Sequence, residues 1–349
     1  MTETPLPVAF DARTLEAAGV TDALPPGPGT AAHVTAHPHH DGATGALMSF
    51  AAEFGPRPRY RVYTTTGNGN GASREVVASM PQRRPSYMHS FSFTERYVIL
   101  AENPLIVDPL RLAVGGRPFI ESYRWRPERG TRFQVFDRSD GSHRATLEGA
   151  PAFCFHHVNA FEESRGVVVD LMAHDDAASV VDQLYLERLE QGSYRLPQAR
   201  LRRYRLDLEA RTVQEEDLCA ERFELPRINY GHKNGRPYRY VYGSGFLPET
   251  ANAPAPPLVK ADVGEGSVAS WREEGCLPGE PIFVPGPAAD TEDEGLVLSV
   301  VLDADRAGSF LLVLDAHTFE ERARAEAPHA VPLSFHGNWF PRGEGAGER

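Results

Sequence analysis

Phe10-Asp11-Ala12-Arg13-Thr14-Leu15-Glu16 returns near the other end of the chain as Leu314-Asp315-Ala316-His317-Thr318-Phe319-Glu320, and more loosely as Leu206-Asp207-Leu208-Glu209-Ala210-Arg211-Thr212. Each copy follows an apolar or mixed run. An Asp that can cap its own turn, followed by Thr and often a large apolar residue, reads as a hairpin entering the next strand. A hairpin unit repeated along a chain favours a β-propeller, whose blades are four-stranded sheets around a central axis. Generic turn chemistry would leave the same echo, so the segments around it have to agree.

They do. Short runs rich in Tyr, Val, Ile, Leu and Phe recur at 60–63, 97–100, 132–136, 238–242, 296–302 and 310–314, punctuated by 31 Gly and 29 Pro. Many short strands with few helices indicate an all-β fold. One stretch reads as helical: Asp175-Asp176 can cap residues 177–191, with Val181, Leu184, Tyr185 and Leu189 near helical spacing and Gly192 as a stop. We expect it to be a short insertion lying on the sheets. The apolar run 103–114 is broken by Pro104 and Pro109, so it makes a poor strand and a poor helix, and reads as a buried loop or the apolar lip of a pocket. The expected organisation is one propeller domain over 1–349, with a flexible tail at about 340–349.

Composition narrows the function classes. At 349 residues, 41% hydrophobic and 24% charged, the chain is globular. A net charge of −12 without clustered Lys and Arg argues against a nucleic-acid surface. Cys154, Cys219 and Cys276 are odd in number and far apart, which suits free thiols in a reducing compartment. The first residues have no basic stretch followed by an apolar one, and no run of about 18 apolar residues occurs, so the expected location is cytoplasmic.

The chemistry concentrates in histidines. In Phe155-His156-His157-Val158-Asn159-Ala160-Phe161-Glu162-Glu163 two adjacent imidazoles on a strand point to opposite faces, so at most one faces a shared centre. On its own such a pair is more often a core hydrogen-bonding group or a surface accident than a ligand. His37 in TAHPHHD, His89 in YMHSFSF and His336 in PLSFHGNW have no spacing typical of a metal motif. In a propeller, however, residues distant in sequence converge on the axis.

In this order and these contexts, His37, His89, His156 and His336 resemble the four metal ligands of the carotenoid cleavage oxygenases, a family that includes the retinoid isomerohydrolase of the eye and bacterial stilbene-cleaving enzymes. The likeness extends to Phe223-Glu224-Leu225-Pro226 with Asn229-Tyr230, to Arg236-Pro237-Tyr238-Arg239-Tyr240, and to Gly279-Glu280-Pro281-Ile282-Phe283-Val284. It runs from the first residues to about Trp339.

The resemblance implies a seven-bladed β-propeller, here expected to be incomplete at its N-terminus, and a non-haem iron(II) enzyme. Its expected reaction is cleavage of a conjugated C=C bond of a carotenoid or apocarotenoid with O2. It also implies that Glu3, Glu224 and Glu280 orient the imidazoles and offset the metal's charge. Phe153, Phe155 and Phe335 are expected to line an apolar substrate tunnel. The run 103–114 is expected to be an apolar rim allowing peripheral membrane contact. Two alternatives stay open: a stilbene substrate, and a non-catalytic metal-binding propeller. His157 reads as a core neighbour, and His33, His143, His174, His232, His317 and His329 as surface or turn residues.

Overall fold

The Asp-led hairpin is more frequent than the sequence echo suggests. In the computed structural model it closes at Asp11, Asp41, Asp137, Asp207, Asp262, Asp303 and Asp315, each joining two antiparallel strands. Asp11 Oδ1 accepts the backbone N–H groups of Arg13 and Thr14, both at 2.8 Å, and Asp315 Oδ1 accepts those of His317 and Thr318 at 2.9 and 2.8 Å. Four residues after each Asp the backbone turns left-handed, at Leu15, Gly45, Gly141, Arg211, Gly266, Ala307 and Phe319. That conformation costs a non-glycine residue about 1–2 kcal/mol. At Gly141 a side chain is excluded outright, because a Cβ would lie 1.9 Å from the carbonyl oxygen of Val77.

The structure describes residues 3–20, 32–67, 72–114, 116–196, 198–245, 248, 250, 252–287 and 289–341. Of the tail expected at about 340–349, residues 342–349 lie outside the described residues. The chain divides into two compact units, Met1–Phe155 with Leu208–Thr212 and Phe340–Arg349, and His156–Asp207 with Val213–Trp339.

The first unit contains a sheet ordered Ala32–Val34, Leu47–Glu53, Arg59–Thr66, Ser73–Pro81, to which His39–His40 adds at Leu47–Glu53. A second sheet runs His143–Gly149, Thr131–Asp137, Tyr97–Glu102, Ser92–Phe93, and two two-stranded ribbons complete the unit. Strands Leu47–Glu53 and Tyr97–Glu102 are buried along almost their whole length, as expected for central strands covered on both faces.

The second unit is built of three sheets. Phe153–Glu163, whose first three residues belong to the first unit, pairs in order with Gly166–His174, Arg200–Asp207 and Thr212–Arg222. Next come Glu224–Arg227, Tyr240–Ser244, Leu258–Asp262 and Ser267–Trp271. Last is the sheet of Cys276–Pro278, Gly295–Asp303, Gly308–Asp315 and Glu321–Glu326, with Ile282–Pro285 also paired to Gly295–Asp303. Val241, Val259, Val297, Val301, Leu312 and Leu314 are fully buried between these layers.

Two local expectations need correction. The run 103–114 is ordered: Leu105–Val107 is a strand paired with Tyr123–Trp125, and Pro109–Val114 is a helix. The prolines flank these elements instead of breaking them. Pro109 takes the first helical position, where no N–H is required, and Asp108 Oδ1 accepts the Leu110 N–H at 3.1 Å. Leu105, Ile106 and Val107 are buried, so they form no exposed lip. The expected helix over 177–191 is broken into a π-helical turn, Ser179–Gln183, and one α-helical turn, Leu186–Glu190, with Tyr185 extended between them. Asp176 does cap, accepting the Ala178 N–H at 2.8 Å. Val181, Leu184 and Leu189 of the expected stripe are only half-buried and Tyr185 is exposed, so the stripe packs weakly, and helices this short are marginal without packing.

Candidate metal centre

In the first unit, His37 and His89 lie on irregular segments and are tied together by Thr35. Its hydroxyl donates to the His89 carbonyl at 2.8 Å and accepts the His37 N–H at 3.0 Å. The His89 loop is clipped to its surroundings by buried Asn103, whose amide donates to the carbonyls of Tyr87 and Cys154 and accepts the Cys154 N–H, at 3.0, 3.0 and 3.1 Å. Ser90 adds a bond to the Phe155 carbonyl at 2.7 Å. The result brings Nε2 of His37 to 2.9 Å from Nε2 of His89.

Glu3 serves this pair. Its Oε1 accepts from His89 Nδ1 at 2.5 Å and from the Tyr87 hydroxyl at 2.7 Å. The Glu3 carbonyl accepts the Val34 N–H, which ties this segment to the strand Ala32–Val34. Burial pushes the Glu3 carboxyl up; its hydrogen bond to His89 and the field of His33 outweigh this and hold it below its ordinary value.

In the second unit, His156 projects from Phe153–Glu163 and is buried, whereas His157 on the opposite face is half-buried, as the alternation of a strand requires. His156 Nδ1 donates to Glu224 Oε2 at 2.6 Å, and its Nε2 lies 3.4 Å from Nε2 of His336. His336 comes from the irregular segment after the last strand and is exposed; its Nδ1 donates to Glu280 Oε1 at 2.9 Å.

A β-bulge places the supporting groups. The register between Glu224–Arg227 and Tyr240–Ser244 slips between Glu224 and Arg227, and Leu225 is left-handed at φ 53°. Bulges re-aim side chains, and here Glu224 reaches His156 while Arg227, three residues on, reaches Glu280 at 2.9 Å. Glu224 Oε2 also accepts the Leu225 N–H at 2.8 Å, and its Oε1 accepts His174 Nε2 at 3.0 Å. Glu280 Oε2 additionally accepts the Gly337 N–H at 3.0 Å. Each hydrogen bond to a charged group contributes about 1.5–3 kcal/mol, so several together offset a desolvation cost of several kcal/mol per ion. Burial raises both carboxyls, and the larger opposing pull of His156 and His174 on Glu224, and of His336 and Arg227 on Glu280, sets both below the ordinary range.

The arrangement has a chemical consequence. With Nδ1–H of His89, His156 and His336 donated to carboxylates, each ring turns an unprotonated Nε2 outward. Within each unit two Nε2 atoms then face one another at hydrogen-bond distance or little more. The facing lone pairs of His156 and His336 repel unless a cation lies between them, whereas His37 Nε2–H can donate to His89 Nε2; the donor set fits a divalent metal that imidazole favours.

Several of these partners escaped the sequence reading. His33 and His174, expected at the surface, are both buried: His33 Nε2 donates to the Met88 carbonyl at 2.8 Å, and His174 serves Glu224. His143, His232, His317 and His329 are exposed as expected. Tyr87, Asn103 and Arg227 carry no local signal of their roles. Among the expected tunnel residues, Phe153 is fully buried, Phe155 is half-buried and edge-on to the His89 ring with centroids 5.9 Å apart, and Phe335 is exposed.

Residues 1–341 match the model of the family described as retinal pigment epithelial membrane protein, RPE65. The chain belongs to the RPE65 family. Two curated relatives are the mitochondrial carotenoid-cleaving dioxygenase of Macaca fascicularis, 33% identical over 88% of this chain and 64% of its own length, and the carotenoid isomerooxygenase of Galleria mellonella, 35% identical over 78% and 56%. The chain thus spans between half and two thirds of the length of these RPE65-family relatives. Among solved structures, cobalt-substituted Synechocystis apocarotenoid oxygenase superposes with a TM-score of 0.78 at 24% identity, covering 97% of this chain and 71% of that one. The fold class is therefore the β-propeller of the RPE65 family. No helix among the described residues is long and apolar enough to cross a membrane.

Proposed function

We propose that His37, His89, His156 and His336 together hold one iron(II) ion, and that the chain is an oxygenase cleaving a conjugated C=C bond of a carotenoid or apocarotenoid. The observation that carries this reading is the paired presentation of Nε2 atoms, with the Nδ1 side of three rings committed to carboxylates. The donor set suits several first-row metals; the choice of iron comes from the family likeness. When bound, iron(II) would supply O2 activation beside an alkene.

The chain's own residues hold and shield. Glu3, Glu224 and Glu280 fix the tautomer of three imidazoles and offset the charge that neutral ligands leave on the ion. Phe155, set against His89 and, at 4.7 Å between centroids, against Phe153, offers an apolar wall beside that ring. Phe335, with ring centroids 6.4 Å from His336, offers an apolar ring beside that imidazole. Cleavage puts one oxygen atom on each alkene carbon, so O2 and the alkene balance against two carbonyl products with no further reductant. The curated relatives are named for carotenoids, which favours that substrate class over stilbenes.

The test is to load the protein with iron under argon, add an apocarotenal and then O2, and identify products by mass spectrometry. We expect two aldehydes or ketones in step with O2 uptake. Stoichiometric iron with no O2 uptake on apocarotenals or stilbenes would overturn the oxygenase reading, and aldehydes from stilbenes alone would overturn the substrate class.

A further inference from the structure

We infer that His174 is a positioning residue for the metal centre, acting on His156 through Glu224. The inference rests on the metal assignment above. His174 ends the strand Gly166–His174, is buried, and points Nε2 at Glu224 Oε1, the oxygen that His156 does not use. The carboxylate is thereby held between two imidazoles on its two oxygens, with the Leu225 N–H as a third donor.

The geometry makes His174 more than a filler. A carboxylate bonded through one oxygen can swing about its terminal torsion, which is broad for Glu. Fixing the second oxygen removes that freedom and so fixes the plane of the His156 ring. The three carboxylates are braced differently: Glu3 by the Tyr87 phenol, Glu280 by the Arg227 guanidinium and Gly337 N–H, and Glu224 by His174. Only His174 braces with an imidazole, which supplies a directed N–H without the permanent positive charge of Arg.

Cobalt(II) titration of the metal-free full chain, followed by visible absorption and calorimetry, tests this. His174→Phe and His174→Met keep bulk and remove the donor; His174→Gln keeps an N–H donor. Loss of outer partners costs about 10–100-fold in metal affinity, and we expect the lower end, about tenfold, for Phe and Met with an altered cobalt spectrum. Gln should bind within about threefold of the unmodified protein. In a Glu224→Gln background His174→Phe should have no further effect, because the two act in series. Unchanged affinity in Phe or Met, or full additivity with Glu224→Gln, would overturn the inference. Should neither donor-less variant fold, a tenfold loss in the Gln variant would do so. Failure of the unmodified protein to bind cobalt would instead overturn the metal assignment.

Discussion

The His37–His89 pair and the His156–His336 pair present the same chemistry from unlike supports. The first sits on irregular segments held by neutral clips, Thr35, Ser90 and Asn103, and has one carboxylate, Glu3, whose side chain is 31% exposed and takes both side-chain donors on one oxygen. The second has two carboxylates, with side chains 12% and 6% exposed, each using both oxygens and taking donors from a bulged strand. One imidazole orientation can thus be fixed by many neutral bonds to backbone or by few charged ones in a dry site. The two solutions should differ most when a carboxylate is removed.

The largest expected effect follows directly. Glu224→Leu leaves the N–H donors of His156, His174 and Leu225 facing an apolar group in a buried site; we expect metal affinity to fall by about 10–100-fold and unfolding free energy by about 3–5 kcal/mol, at about 1–3 kcal/mol for each buried donor left unsatisfied. Glu3→Leu, where water can replace the carboxylate, should cost about 0–1 kcal/mol and the lower end of the affinity range. Urea denaturation and calorimetric titration of both variants check this, and equal losses would break the comparison.

A smaller effect is expected at Tyr87. Tyr87→Phe removes one of the two side-chain bonds on Glu3 Oε1 and should weaken metal affinity about twofold to threefold, the worth of about 0.5 kcal/mol for a single hydrogen bond and less than the loss in Glu3→Leu. A loss as large as that of Glu3→Leu would mean that the phenol, and not the His89 bond, holds the carboxylate.

The smallest effect concerns pH. Burial depresses the His33 pKa below 6.5, partly opposed by Glu3, so the folded chain binds fewer protons there than the unfolded one. Its stabilising contribution is present above pH 6.5 and is lost as pH falls from that value towards the folded pKa. The depressed carboxyls of Glu3, Glu224 and Glu280 lose theirs only below about 4.5, the value from which they are lowered. His33→Gln, which keeps a donor for the Met88 carbonyl, should flatten the decline in melting temperature between pH 7 and 5. An unchanged slope would place that decline elsewhere.

Much of the proposed centre was legible because its four histidines stand in distinctive local contexts, and the carboxylates likewise. Their partners were not. His174 lies 50 residues from Glu224 and Arg227 lies 53 from Glu280, and only strand register and a bulge bring them together. A β-bulge depends on the left-handed Leu225, a conformation that residue type does not announce. The repeated hairpin shows the same limit. Three copies share enough residues to be seen, but what all seven share is an Asp and a left-handed position four residues later, filled by Leu, Gly, Arg, Ala or Phe. The broken helix over 177–191 and the ordered run 103–114 were misread because periodicity and proline content do not reveal whether a partner surface waits for the segment.

Metal stoichiometry tests the central claim most directly. Anaerobic iron(II) titration with metal analysis of the desalted full chain should give one ion per chain, and His89→Ala and His336→Ala should each abolish tight binding. Two ions per chain, with each substitution removing only one of them, would show that the pairs bind separately and would contradict a shared four-histidine centre.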